Sequence, residues 1–233
     1  MGNDILFLAH RLPFPPDRGD KIRSHHLLKG LAALAPVHVA TFADDAADWA
    51  AEGDLAGMAA SYRLVERAKP LPLAGVEALA RSRPVSLTAF HHPALADYVK
   101  RLLASGRIGT IVVFSGQMGQ YVPADWRGRL VIDFVDVDSA KFEAYAAQKG
   151  PVKGWIDARE ARLLAAEEER LVDRGTLAGV AVAEDPEADL PAVPPAAVVR
   201  AAAIGAKAGL EARDLGVGLF EKTLYAVGMH RNV

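Results

Sequence analysis

Ile5-Leu6-Phe7-Leu8-Ala9 is an unbroken apolar run of five, and the loop and helix after it decide the fold class of the chain. The loop, His10-Arg11-Leu12-Pro13-Phe14-Pro15-Pro16-Asp17-Arg18-Gly19, is turn chemistry. From Asp20 to Ala35 the residues Leu27, Leu28, Leu31 and Leu34 fall on one side of a helical wheel. A short apolar strand, a loop and an amphipathic helix make the opening of a βαβ unit, and the unit recurs. Val37 to Phe42 reads as the second strand, Asp45 to Ala60 as helical and Arg63 to Glu66 as a short third strand. Helices are expected around Val76 to Arg81 and over Pro93 to Ala104. Ile108 to Phe114 and Leu130 to Val135 are continuous and β-branched, as strands covered on both faces are.

A long helix is expected between Val152 and Asp173. Ile156, Leu163, Leu164 and Leu171 form its dry side, and Glu160, Arg162, Glu168 and Glu169 its wet side. Glu167 and Arg170 stand at pairing distance on such a helix. Val180 to Ala183 is a sixth strand candidate. Past it, Pro-rich loops and an Ala/Gly/Val/Arg-rich stretch carry no sustained period until Leu219 to Met229, where a helix is expected. The fold class is therefore α/β, a Rossmann-like three-layer αβα domain with a mainly parallel sheet over 1–183, followed by a less defined tail over 184–233.

Composition narrows the function classes. Of 233 residues 51% are hydrophobic, enough for a packed core, and 27 cationic side chains against 29 acidic give a net charge of -2. No basic excess points to nucleic acid. The absence of cysteine excludes disulfides, thiolate metal sites and a cysteine nucleophile. The first apolar run lacks flanking lysines and is too short for a signal peptide. No segment reaches the roughly 18 apolar residues of a membrane span, so a cytoplasmic protein is expected.

In an open parallel sheet ligands bind beyond the carboxyl ends of the strands. His10 stands just past the first strand, as a general base, a sugar-binding imidazole or a structural loop histidine. Gly19 offers φ > 0 and close backbone approach, with Lys21 and Arg23 adding charge at a helix start that suits an anion. The alternative is that Gly19 shapes the loop, Asp20 caps the helix and the cations are solvated. Ser115 and Gln117 suit either hydroxyl recognition or an ordinary turn. Asp136 stands at a strand end, open to sugar hydroxyls, while Asp138 or Ser139 is expected to cap the helix running to Ala146. His25 and His26 diverge on a helix and cannot share a metal ion. His91-His92 reads as the approach to the Pro93 helix.

The stretch from Ile5 through His10, Gly19-Asp20-Lys21-Ile22-Arg23 and His26 resembles the start of family-4-type glycosyltransferases. Val37 to Asp45, Phe114-Ser115-Gly116-Gln117-Met118-Gly119 and Val131-Ile132-Asp133-Phe134-Val135-Asp136-Val137-Asp138-Ser139 are similar too, most of all to the exosortase (PEP-CTERM)-associated sugar transferases of exopolysaccharide clusters. The likeness runs in order over residues 4 to 183. It implies the amino-terminal, acceptor-side half of a two-domain GT-B fold and metal-independent transfer from a nucleotide sugar to a glycan or lipid-linked acceptor. It also implies a Gly19 loop facing the interdomain cleft, with no bound cofactor.

Two departures stand out. Many relatives carry two adjacent glycines where this chain has Gly19-Asp20, and a carboxylate there repels a diphosphate unless Asp20 turns inward as a helix cap. The second, donor-binding domain has no counterpart, and Ile204-Gly205 is all that matches the turn leading into it. Expected partners are therefore a donor-domain protein or a second copy, at the inner membrane surface. The competing function is a binding or scaffold module that keeps the fold without the chemistry. A dinucleotide enzyme is disfavoured because the first loop lacks G-x-G-x-x-G.

Overall fold

A computed structural model describes residues 2–175 and 177–179. The expected strand over 180–183, the tail over 184–233 and its helix at 219–229 lie outside the described residues. Six strands form one sheet: β1 (Asp4–Ala9), β2 (Val37–Ala43), β3 (Ser61–Glu66), β4 (Ile108–Phe114), β5 (Arg129–Asp133) and β6 (Leu177–Gly179). Their order is β3-β2-β1-β4-β5-β6, and every neighbouring pair is parallel. This is a Rossmann-like α/β architecture, and its strand order reverses between β1 and β4.

The side-chain period of β1 explains the three layers. Ile5, Phe7 and Ala9 point to one face, where they meet Leu27, Leu28 and Leu31 of α1 (Gly19–Ala32). Leu55 joins them from α3 (Glu52–Met58), which comes after the short α2 (Ala46–Ala50). Leu6 and Leu8 point to the other face, against Leu95 and Val99 of α6 (Pro93–Ala104) and Leu171 of α8 (Pro151–Arg174). A strand covered on both faces must be apolar at every position, which is why the run Ile5 to Ala9 is unbroken.

Between β3 and α6 lie α4 (Leu71–Ala80) and α5 (Val85–Ala89). A 3-10 helix, Gly116–Tyr121, comes after β4, and α7 (Asp138–Gln148) after β5. The span expected as one helix over 45–60 is divided at Ala51, which ends α2 and precedes α3. His92 does lead into α6: its Nδ1 accepts from Ala94 N at 3.2 Å, with Pro93 at the first helical position.

The wet side expected of α8 is partly wrong. Glu160, 2% exposed, and Glu168 are buried, and each caps the start of another helix. Glu160 accepts from Val85 N (2.8 Å), Ser86 N (2.9 Å) and Ser86 Oγ (2.6 Å) at the head of α5. Glu168 accepts from Ser139 N (3.0 Å) and Ser139 Oγ (2.5 Å) at the head of α7. A helix start carries unpaired N–H groups and positive dipole, and a carboxylate from elsewhere satisfies both. Ile156, expected on the dry side, is exposed instead, whereas Glu167 and Arg170 pair at 2.6 Å as their spacing predicts.

Candidate functional site

The carboxyl ends of β1 and β4 are the switch point of the sheet, and the residues just beyond them meet there. His10 comes directly after β1 and is buried between two rings. It stacks on Phe114 (centroids 5.8 Å apart, planes at 19°) and stands edge-on to Phe90 at 6.0 Å. Its Nε2 lies 3.5 Å from Asp20 Oδ2 on α1, and its Nδ1 is buried with no hydrogen-bond partner. A buried orphan nitrogen costs free energy, and such groups collect where a ligand completes the set.

Asp20 ties this histidine to the loop. Its Oδ2 also accepts from Arg11 Nη1 at 2.7 Å, and Oδ1 accepts from Lys21 N at 3.0 Å. The contact with His10, then the Arg11 guanidinium, hold the Asp20 carboxyl well below the usual range, against the opposing effect of burial. Asp20 is thus no N-cap: it lies inside α1, and Arg18 occupies the cap position, its side chain making no capping hydrogen bond. Gly19 begins the helix with a φ outside the left-handed region, and an added Cβ would meet nothing within 4 Å. The positive φ expected of it is not needed, because the loop enters the helix directly from extended backbone at Arg18.

The expected charge at this helix start is largely spent on the protein itself. Lys21 is buried, with its ammonium against the Asp48 carboxylate and 3.5 Å from Phe14 O, so it is not the solvated or anion-facing cation the sequence suggests. Arg11 donates to Asp44 at 2.8 Å, as does Arg67 at 2.6 Å. Burial pushes the Asp44 carboxyl up, and the Arg67 and Arg11 guanidiniums outweigh it and hold it down. Arg23 reaches across the sheet edge to Asp133 Oδ2 at 2.6 Å, its guanidinium 5.9 Å above the Phe114 ring.

Two strained residues shape the rim. Ser115, directly after β4, has φ 77°, and Val135, just past β5, has φ 63°. Asp136 N donates to Phe134 O at 2.6 Å, closing a γ-turn around Val135. A β-branched residue in that turn is costly, and such strain gathers at functional edges. Asp133 holds the two ends together: Ser115 N donates to its carbonyl at 2.7 Å, and Val135 N to its Oδ1 at 3.0 Å. Burial pushes its carboxyl up, while Arg23 and the Val135 N–H pull it back. None of these contacts was visible in sequence, which placed Asp133 at a strand end and within the motif that resembles family-4 transferases.

Ser115 and Gln117 lie on the same rim and touch each other, the Ser115 hydroxyl donating to Gln117 Oε1. Gln117 Nε2 donates to Asp138 Oδ2 at 2.5 Å. Gln117 and Asp138, together with Gly116, Asp136 and Phe134, line a small recess against α8. Asp136 is exposed at its mouth. Asp138 is the first residue of α7 rather than its cap, the cap position being Val137. Burial pushes its carboxyl up to about 7; Lys141 opposes this, and the nearby Asp136, Glu168 and Glu160 add to it. Among the described residues no group of three or more His, Asp or Glu side chains is placed to hold a metal ion.

No protein-family model, curated protein or solved structure matches this chain. The geometry of the site itself therefore carries the functional reading.

Proposed function

We propose that this chain is the acceptor-side unit of a GT-B sugar transferase, serving cell-surface or exopolysaccharide synthesis in the cytoplasm. The observation that carries the reading is the convergence at the β1/β4 switch point of a buried, half-satisfied His10 with Asp20, Arg23, Asp133 and the strained Ser115 and Val135. The resemblance of the same segments to family-4 transferases supports it. In that reaction the acceptor hydroxyl oxygen attacks the anomeric carbon of a nucleotide sugar. The bond to the diphosphate oxygen breaks, and the nucleoside diphosphate leaves with the electron pair. The hydroxyl proton passes to a base, for which His10, held by Asp20, is the candidate. The donor is held by a second half that closes over this edge and excludes water.

A second reading, a glycan-binding module without transfer, has its own support. Arg11, Lys21 and Arg23 are each engaged by carboxylates, and Asp20 stands at the start of α1 where a diphosphate would sit. That electrostatic setting suits a neutral, hydroxyl-rich ligand better than phosphate. The two readings separate in a transfer assay. The 233-residue chain is incubated with UDP-glucose, UDP-N-acetylglucosamine or GDP-mannose and methyl glycoside acceptors, with and without a donor-binding half. Transfer that disappears in His10→Ala supports the first reading. Saturable glycan binding with no transfer under any condition supports the second.

A further inference from the structure

Helix α4 is amphipathic the wrong way round. It buries the small Ala74 and Ala78 and turns outward Leu71 and Val76, each 67% exposed, with Leu73 and Leu79 beside them. The start of α8 repeats the inversion, burying Gly154 and Asp157 while exposing Trp155 (58%) and Ile156. Arg159, one turn further along α8, donates to Ala78 O at 3.1 Å and Arg83 O at 3.3 Å, so the two apolar stretches flank one bridging arginine. Each such side chain is worth about 1.5–3 kcal/mol when taken out of water, so a patch of six points to something that covers it.

Charge selects the occupant. Residues 69–83 and 149–159 carry six lysines and arginines against two carboxylates, Glu77 and Asp157, in a chain whose net charge is -2. Glu77 is held by Lys69 and Arg81, each at 2.9 Å, and Asp157 by Lys149 at 2.7 Å. The next carboxylate, Glu160, is turned inward to α5. A second copy docked on this face would set two basic surfaces against each other. An anionic bilayer matches it: leucines and valine enter the acyl boundary, tryptophan sits at headgroup level, and lysines and arginines meet phosphates. We propose that the α4–α8 face binds the surface of an anionic phospholipid bilayer. Helix α4 follows β3 and α8 follows α7 in the chain, and the inference does not depend on the sugar-transfer reading.

The test is flotation of the 233-residue chain with phosphatidylcholine vesicles, with and without phosphatidylglycerol. Binding is expected only where phosphatidylglycerol is present, and should weaken as salt screens it. The double variant Leu73→Glu, Trp155→Glu should lower partitioning by on the order of 100-fold with an unchanged melting temperature, since both side chains are exposed. Failure to bind phosphatidylglycerol vesicles overturns the proposal. So does a wild-type dimer that the double variant converts to monomer without any vesicle binding. A melting temperature lowered by the double variant, again without vesicle binding, also overturns it and shows that the face is packed within the protein.

Discussion

Arg23 and Asp133 are 110 residues apart in sequence and 2.6 Å apart in space, and their contact joins the first helix to the far side of the switch point. Asp133 is nearly fully buried, so the guanidinium is what makes its charge tolerable there.

Arg23→Leu should therefore cost more than one surface contact, about 2–4 kcal/mol, because it strands a buried carboxylate. Adding Asp133→Asn should recover part of the loss. A double-mutant cycle from urea denaturation is expected to give a coupling of about 1–3 kcal/mol. Additive losses would mean that the pair does not hold the edge together.

Glu160 supplies three hydrogen bonds to the head of α5. Glu160→Ala leaves those donors without their carboxylate and should cost about 2–3 kcal/mol, or roughly 4–12 °C in melting temperature. Glu160→Gln, which keeps one acceptor oxygen, should fall between. The exposed Glu169 on the same helix is the control, and its alanine variant should melt within about 1 °C of wild type. Equal effects at the two positions would contradict the capping role.

The contrast between these two glutamates shows what the sequence could reveal. Ile108–Phe114 and Pro93–Ala104 have the limits that the sequence predicts, because a β-branched run and a Pro-initiated helix are local signals. The five-residue run of β1 and the His10 loop after it were legible for the same reason. Glu160 and Glu168 were misplaced because amphipathic reasoning puts carboxylates in water, and nothing local says that another helix start needs one. The alternative in which Asp20 caps the helix fails because its partners, His10 and Arg11, come from the preceding loop. The γ-turn at Val135 had no signal, since valine is among the last residues expected at positive φ.

Asp138 predicts a pH dependence. Its carboxyl is pushed up to about 7 in the folded chain from the ordinary 3.8, so the folded state binds that proton more tightly than the unfolded chain does. The resulting stabilisation is complete below about pH 4 and is lost as pH rises through 7. Asp138→Asn keeps an oxygen for Gln117 and removes the titration. Melting from pH 5 to 8 should show wild type losing stability relative to the variant, by about 2–4 °C for each kcal/mol. Parallel curves would show that Asp138 does not titrate in this window.

Whether the switch-point edge around His10 takes a hydroxyl-rich ligand can be read from the His10 imidazole itself. Its ring resonances can be tracked by ¹⁵N–¹H correlation while the methyl glycosides of glucose, mannose and N-acetylglucosamine are titrated into the 233-residue chain. A saturable shift is expected at Nδ1, the nitrogen without a partner in the free protein, and it should be lost in Asp20→Asn, which loosens the ring's anchor. An Nδ1 resonance that stays fixed while the same glycosides bind elsewhere, or while none binds at all, would contradict it.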